Sequence, residues 1–440
     1  MRDSKHRNTE GLWYAITTTV VLLANMPLKS QELPQYDDQQ RAGVASCAAS
    51  LCHGSVRPGT AHGIRQNEYV TWSRYDRHAN AYDTLLSEDS KRIARNLGLK
   101  NAHESDVCLD CHADNVASGA RGDRFQLGDG VGCEACHGGA GNWLKSHVEP
   151  GADHAANVAN GLYPLAEPRP RAQVCLSCHF GNEEKFVTHR ILGAGHPRLS
   201  FELDTFSRIQ PAHFSDDAEY RRRKPDTDRT RIWATGVVES ALSSIHALQS
   251  TRFTKSALVP ELAVFDCHAC HHSVNLVRWQ PRATTGSLGP GAIRLNDSGL
   301  IMALAVARTV APEQAVELSA QLIRLHEATA AGPDTVADAA ADIGKVLSRL
   351  AATVDRHRYS TSSNRDILNA LIATGLDGDY QDYVAAEQAT MAIDILVAEA
   401  AIEAKDLVDD LFAVVGDEDS YRPWRFTEVL GKLKAELESQ

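Results

Sequence analysis

The chain has 440 residues, ten of them cysteine, and a formal charge of −12 from 45 Lys and Arg against 57 Asp and Glu. An acidic balance of this kind argues against nucleic acid and for partners with basic faces. The one local exception is the run Arg221-Arg222-Arg223-Lys224. With Asp226 and Asp228 close behind, it reads as a solvated loop, the alternative being a docking patch for an acidic partner.

The first 30 residues have the three parts of a secretory signal. Arg2, Lys5 and Arg7 form a basic start, an apolar run extends from Leu12 to Met26, and polar sequence resumes near Lys29. The run is shorter than the roughly 20 apolar residues of a spanning helix, so cleavage and a periplasmic address are expected. A retained anchor is the alternative, because no clean Ala-x-Ala site follows. No later segment is apolar enough to span a bilayer.

Five sites that combine two cysteines with a histidine follow. The first is Cys47-Ala48-Ala49-Ser50-Leu51-Cys52-His53, with four residues between the thiols. The next four are strict Cys-x-x-Cys-His motifs at Cys108, Cys111 and His112; Cys133, Cys136 and His137; Cys175, Cys178 and His179; and Cys267, Cys270 and His271. In such a motif the two thiols form thioether bonds to the vinyl groups of a haem and the adjacent His ligates the iron. At the first site the Cys-His pair keeps that geometry and the longer loop lets the first thiol reach. A structural disulfide is the competing reading there. Five haems consume all ten cysteines, two each. Covalent attachment of haem c takes place outside the cytoplasmic membrane, in agreement with the signal.

Between Cys47 and His272 the hydrophobic periodicity is broken, as expected where porphyrins supply the apolar core and short helices and loops wrap them. Ser87 caps a helix with Glu88 and Asp89 in its first turn and Ile93 and Leu97 on its apolar face. A longer helix from about Thr230 to Ser250 aligns Trp233, Val237, Ala241, Leu242, Ile245 and Leu248. A Gly/Pro-rich joint around Thr285 to Gly291 separates this region, 31–285, from a Cys-free helical region, 286–440. There Leu318, Leu322 and Leu325 mark one helix, Gly332-Pro333 a stop, and Val336, Ala340, Ile343, Leu347, Leu350 and Val354 the next. A long helix is expected from Tyr383 to Val415, then a last one on Phe426, Val429, Leu430, Leu433 and Leu437. The fold class is mainly α, a multihaem cytochrome c region followed by an α-helical bundle.

The sixth iron position separates an electron carrier from an enzyme. Met1, Met26, Met302 and Met391 are the only methionines, two in the signal and two in the helical half, so axial Met is excluded unless that half enters a haem pocket. Histidine remains, and bis-His ligation implies low potential. His78, His147, His189, His196 and His213 are the candidate distal ligands, His196 in the tight turn Gly193-Ala194-Gly195-His196-Pro197. His62, His103 and His154 in polar loops are weaker candidates. His246, on a helix, reads as a packed or surface residue. His268 lies inside an attachment motif, and His272 follows a proximal ligand. His326 and His357 read as surface or packing residues.

Gly130-Val131-Gly132-Cys133-Glu134-Ala135-Cys136-His137-Gly138-Gly139 resembles the third haem site of the cytochrome c554 family. His147 stands at that family's interval for a distal ligand. Trp72 to Tyr82, with Asp76, His78, Ala79 and Ala81, resembles its Trp-to-His segment, and the order of sites from Cys47 to His179 is similar. Thr188-His189, Gly193 to Leu203 and Phe265 to His272 resemble larger multihaem relatives with a fifth haem. The resemblance implies a mostly helical periplasmic electron-transfer protein with closely stacked haem pairs. It also implies that the second haem, by position that on His112, lacks a distal side-chain ligand. This chain departs from the family in its longer first Cys spacing, the insertion between His53 and Trp72, the fifth site and the helical half.

Two function classes follow from these residues. An electron carrier would pass electrons between redox partner proteins through five mostly bis-His haems. A redox enzyme would act on a small nitrogen or sulfur compound at one open haem, and would need acid/base or cationic groups around it. No such constellation is recognisable and no motif replaces its proximal His by Lys, which favours the carrier. A docking subunit whose helical half binds a partner complex is a third class.

Overall fold

The computed structural model describes residues 32–57, 65–214, 218, 222, 228–255, 260–272, 280 and 282–440. The signal segment, His62 and, apart from Arg222, the basic run 221–224 lie outside them. The described residues are mainly helical, with three isolated bridges and no strand.

The haem-motif half is built from short elements. Among them are α1 (Glu68–Tyr75), α2 (Glu88–Leu97), α3 (Asp106–His112), α4 (Cys133–His137), α5 (Pro168–His179) and α6 (His189–Gly193), with single-turn helices and 3₁₀ turns between. Helix α2 starts where the Ser87 hydroxyl accepts a hydrogen bond from the Ser90 amide and ends at Gly98 in the left-handed region. The protein's own apolar clusters are small here. One gathers Leu85, Ala94, Ala102, Leu109 and Ala113, another Ala172, Leu176 and Leu203.

The large core belongs to the long helices: α7 (Arg229–Gln249), α8 (Ser298–Val310), α9 (Pro312–Ala328), α10 (Pro333–Arg356), α11 (Thr361–Leu376), α12 (Tyr383–Glu399), α13 (Lys405–Val414) and α14 (Pro423–Ser439). Trp233 and Ile245 of α7 share one cluster with Leu318, Leu322, Ile343, Leu347, Leu396 and Leu430. Helix α7, capped by the Asp228 carboxylate on the Arg231 amide, packs against α8, α10 and α12 and also against α5, which carries the fourth motif.

The expected continuous helix from Tyr383 to Val415 is two helices. A straight helix of that length would hold its ends about 48 Å apart, yet the Tyr383 hydroxyl donates to the Val415 carbonyl at 2.8 Å. The chain reverses after α12 at Ala401, whose φ is 53°. The Ala401 amide bonds the Ala398 carbonyl at 3.1 Å and the Ile402 amide the Val397 carbonyl at 3.0 Å. This is a Schellman closure, with Ile402 turned into the core. Alanine stands where glycine normally signals such an ending, so the sequence shows no stop.

Candidate haem-binding sites

A helical turn suits the attachment motif because residues i, i+3 and i+4 share a face. The second motif lies on α3, the third on α4 and the fourth in the last turn of α5, while the fifth occupies a 3₁₀ turn over Cys267–Ala269. At the fifth site the His271 amide bonds the Cys267 carbonyl at 2.8 Å. At the first site the longer loop closes on the equivalent bond, His53 amide to Cys47 carbonyl, at 3.1 Å. Two additional residues are absorbed without losing the return of His to the first Cys.

Each proximal histidine faces one other histidine. Ring centroids are separated by 6.3 Å for His53 and His147, 6.4 Å for His112 and His196, and 6.3 Å for His137 and His213. The separation is 6.1 Å both for His179 and His78 and for His271 and His189. Two imidazoles bound to one metal, at about 2.0 Å per bond and about 1.1 Å from nitrogen to ring centre, have centroids roughly 6.2 Å apart. The residues present therefore fit an iron between each pair. His53 with His147 and His271 with His189 are nearly parallel, at 8° and 28°. The other three pairs are nearly perpendicular, at 82°, 84° and 88°. The resemblance implied an open second site, but in this chain the turn after α6 brings His196 opposite His112.

Hydrogen bonds at Nδ1 select the tautomer and point Nε2 towards the partner ring. The Nδ1 of His53 lies 3.1 Å from Glu68, that of His78 2.8 Å from Asp76, and that of His112 3.0 Å from the Ala81 carbonyl. His147 Nδ1 meets the Leu144 carbonyl at 2.7 Å and His196 Nδ1 the Pro197 carbonyl at 2.8 Å. Burial alone would raise the Asp76 carboxyl, but hydrogen bonds from His78 and Gln210 outweigh it and hold it at about 2. An ionised carboxylate thus backs the His78 ring.

The sites are tied to one another. Glu134, inside the third motif, accepts from the amides of Ala42, Gly43 and Ala140 at 2.8–2.9 Å and so anchors the segment leading to the first motif. Gly138 must be glycine: its φ is 82°, and a Cβ would lie 2.6 Å from the Gly161 carbonyl oxygen. Lys185, buried, donates to the Asp110 carbonyl at 2.9 Å and reaches the Cys178 sulfur at 3.1 Å, joining the second and fourth motifs. The Cys47 and Cys133 thiols lie close enough to shift one another's acidity, as do those of Cys111 and Cys178. Two bundle carboxylates hold the segment after His196. Arg198 pairs with Glu387 at 3.2 Å and Glu418 at 3.3 Å, and Ser200 donates to Glu387 at 2.7 Å.

The remaining described histidines are placed elsewhere. His103 packs edge-on against Tyr82, and His154 opens the short helix His154–Ala159 rather than lying in a loop. His246 on α7 and His272 are exposed, His268 lies 3.5 Å from Glu418, His326 is buried against Asp297, and the His357 ring packs on Tyr359. Glu68 and Lys185 were missed by sequence reasoning because a lone charged residue between motifs carries no spacing signal. Asp76 was noted only as part of the Trp72–Tyr82 resemblance.

Residues 46–138, which span the first three attachment motifs, match the family model described as cytochrome c554 and c-prime. Over this segment the chain is similar to the cytochrome c554 family. Over that segment the likeness supports a c-type cytochrome of electron transfer, with covalently bound haem c and redox partners. No curated protein and no solved structure matches the chain. Among the described residues no helix is long and apolar enough to cross a membrane.

Proposed function

We propose that the chain is a periplasmic five-haem cytochrome that relays electrons between redox partner proteins, every iron held by two histidines. The observation that carries this reading is the facing of all five proximal histidines by His78, His147, His189, His196 and His213 at one common spacing. Bound haem supplies one-electron iron chemistry at low potential. The chain's part is to attach the group through two cysteines, fix both imidazoles, and keep the sixth position closed to substrates. The pairing of His112 with His196 weighs against an enzyme with an open second site.

Contacts between motifs support an order for the relay. The Cys47 and Cys133 thiols interact between sites one and three, Cys136 feels the charges of Cys175 and Cys178 between three and four, and Cys178 interacts with Cys111 between four and two. The segment of α6 carries His189 for site five and, three residues beyond its end, His196 for site two. The relay then runs one, three, four, two, five. Cys52 and Cys270, the exposed cysteines, belong to the two outermost sites, where partners exchange electrons.

The test is haem stoichiometry with ferric EPR on the same sample. Five haems per chain are expected, all low-spin, in two spectral classes in the ratio two to three, matching the parallel and perpendicular ring pairs. Four haems, or a high-spin component that shifts with nitrite or nitric oxide, overturns the reading.

Asp76→Asn tests the second sphere. Loss of the carboxylate behind His78 makes that ligand less basic and raises the potential of one haem, by on the order of 50 mV against the 59 mV per tenfold step of a one-electron couple. Potentiometric titration checks it, the other four midpoints staying in place.

A further inference from the structure

A buried ionic cluster joins the fifth attachment motif to the helical bundle, and electron relay alone makes no use of it. Asp266 immediately precedes Cys267 and is 5% exposed. Its Oδ1 accepts from the His268 amide at 2.9 Å. Its Oδ2 lies 3.7 Å from Arg294 and, among the described residues, has no hydrogen-bond donor. Behind it, Arg282, 3% exposed, reaches Asp297 at 3.5 Å and Asp382 at 3.4 Å, and donates to the Asp379 carbonyl at 2.9 Å. His326 Nε2 meets Asp297 at 2.9 Å. Arg308 faces Asp379 from α8, and Glu418 faces His268 on the outer side.

The charges do not balance without a proton. Four buried carboxylates (Asp266, Asp297, Asp379 and Asp382) face two buried guanidiniums (Arg282 and Arg294), with His326 buried beside Asp297 and Arg308 exposed at the edge. Negative charge left unpaired in a low-dielectric interior is costly, so the cluster favours holding a proton. Three of the carboxylates are well served. Asp297 has His326 and Arg282, the Asp379 Oδ1 accepts from Thr284 at 2.7 Å, and the Asp382 Oδ1 caps α12 on the Ala385 amide at 2.7 Å. Asp266 is the least well paired. Burial, and then the Asp382 carboxylate, push it up to about 7, so its proton exchanges near neutral pH.

We propose that Asp266 is a redox-linked proton site, binding a proton from solvent on reduction of the fifth site and releasing it on oxidation. The proposal rests on the five-site reading above. One electron arrives from a redox partner protein and one proton from water. The proton forms an O–H bond at the Asp266 carboxyl, and no bond between heavy atoms changes. An electron added beside Cys267 is a negative charge next to a buried carboxylate, and its field raises the carboxylate's affinity for a proton.

The experiment is a potentiometric titration of the full holoprotein between about pH 6 and 8, with haem stoichiometry on each sample. A Cys267→Ser, Cys270→Ser variant identifies the midpoint that belongs to the fifth site. In the wild type that midpoint falls as pH rises, approaching a tenfold change in the oxidised-to-reduced ratio per pH unit, ~59 mV for a one-electron couple. In Asp266→Asn the slope disappears while the other midpoints keep theirs, and Asp382→Asn, as a second variant, moves the slope to lower pH. Five haems with a flat fifth midpoint, or a slope that persists in Asp266→Asn and is lost in His326→Gln, overturns the proposal. Four haems in the wild type instead removes the five-site reading beneath it.

Discussion

On the five-haem, bis-His reading proposed above, replacing His196 by alanine is expected to convert one haem from low-spin to high-spin. The His196 ring stands 6.4 Å from His112 and its Nδ1–H donates to the Pro197 carbonyl at 2.8 Å. That hydrogen bond leaves the Nε2 lone pair directed at the site between the two rings. Its removal leaves an iron with one protein ligand, so ferric EPR should gain one high-spin equivalent, and cyanide or nitric oxide should bind to that equivalent alone. The turn that carries His196 is held from the bundle through Arg198, Glu387 and Glu418, which should keep the backbone in place when the ring is lost. If the spectrum of His196→Ala matches the wild type, His196 is not the ligand and the facing of the two rings has another cause.

The attachment motifs were legible because they are local. Two thiols and an imidazole within five or seven residues leave an unmistakable spacing, with the candidate proximal ligand directly after the second Cys. The candidate distal histidines could be narrowed to a set but not paired with the proximal ones from sequence. His196 faces a ring 84 residues before it, His213 one 76 residues before, and no periodicity encodes a contact of that range. In the bundle, amphipathic helices such as α10 were readable from their stripe. Helix α8 was not, since from Leu300 to Ala307 it is buried all round and shows no polar face. The break at Ala401 escaped because its left-handed residue is alanine. The role of the bundle escaped for a similar reason: its ties to the haem half are single charged residues such as Glu387 and Glu418, placed by tertiary packing and silent in the chain's pattern.

Asp297→Ala is expected to be the most destabilising single change among the charged residues. Asp297 is 1% exposed, bonds His326 at 2.9 Å, and lies 3.5 Å from Arg282 at the start of α8. Its loss leaves a buried guanidinium and imidazole short of their shared acceptor, which costs about 3–5 kcal/mol when one partner of a buried pair is removed. Denaturant unfolding followed by far-UV CD measures it, and a loss under 1 kcal/mol would mean the cluster relaxes around water. The pH dependence gives an independent check. Burial would raise the Asp297 carboxyl, but Arg282 and then the His326 hydrogen bond outweigh it and hold it below its ordinary value. The folded protein therefore gains stability from ionised Asp297 above about pH 4 and loses it as pH falls through the lower folded value. Asp266 acts in the opposite sense. Its raised carboxyl binds a proton that the unfolded chain has released, so stability declines as pH rises from about 4 to about 7. Asp266→Asn should flatten the neutral limb and Asp297→Ala the acid limb. The two arms of one stability profile thus report separately on a permanently charged carboxylate and on one that exchanges its proton.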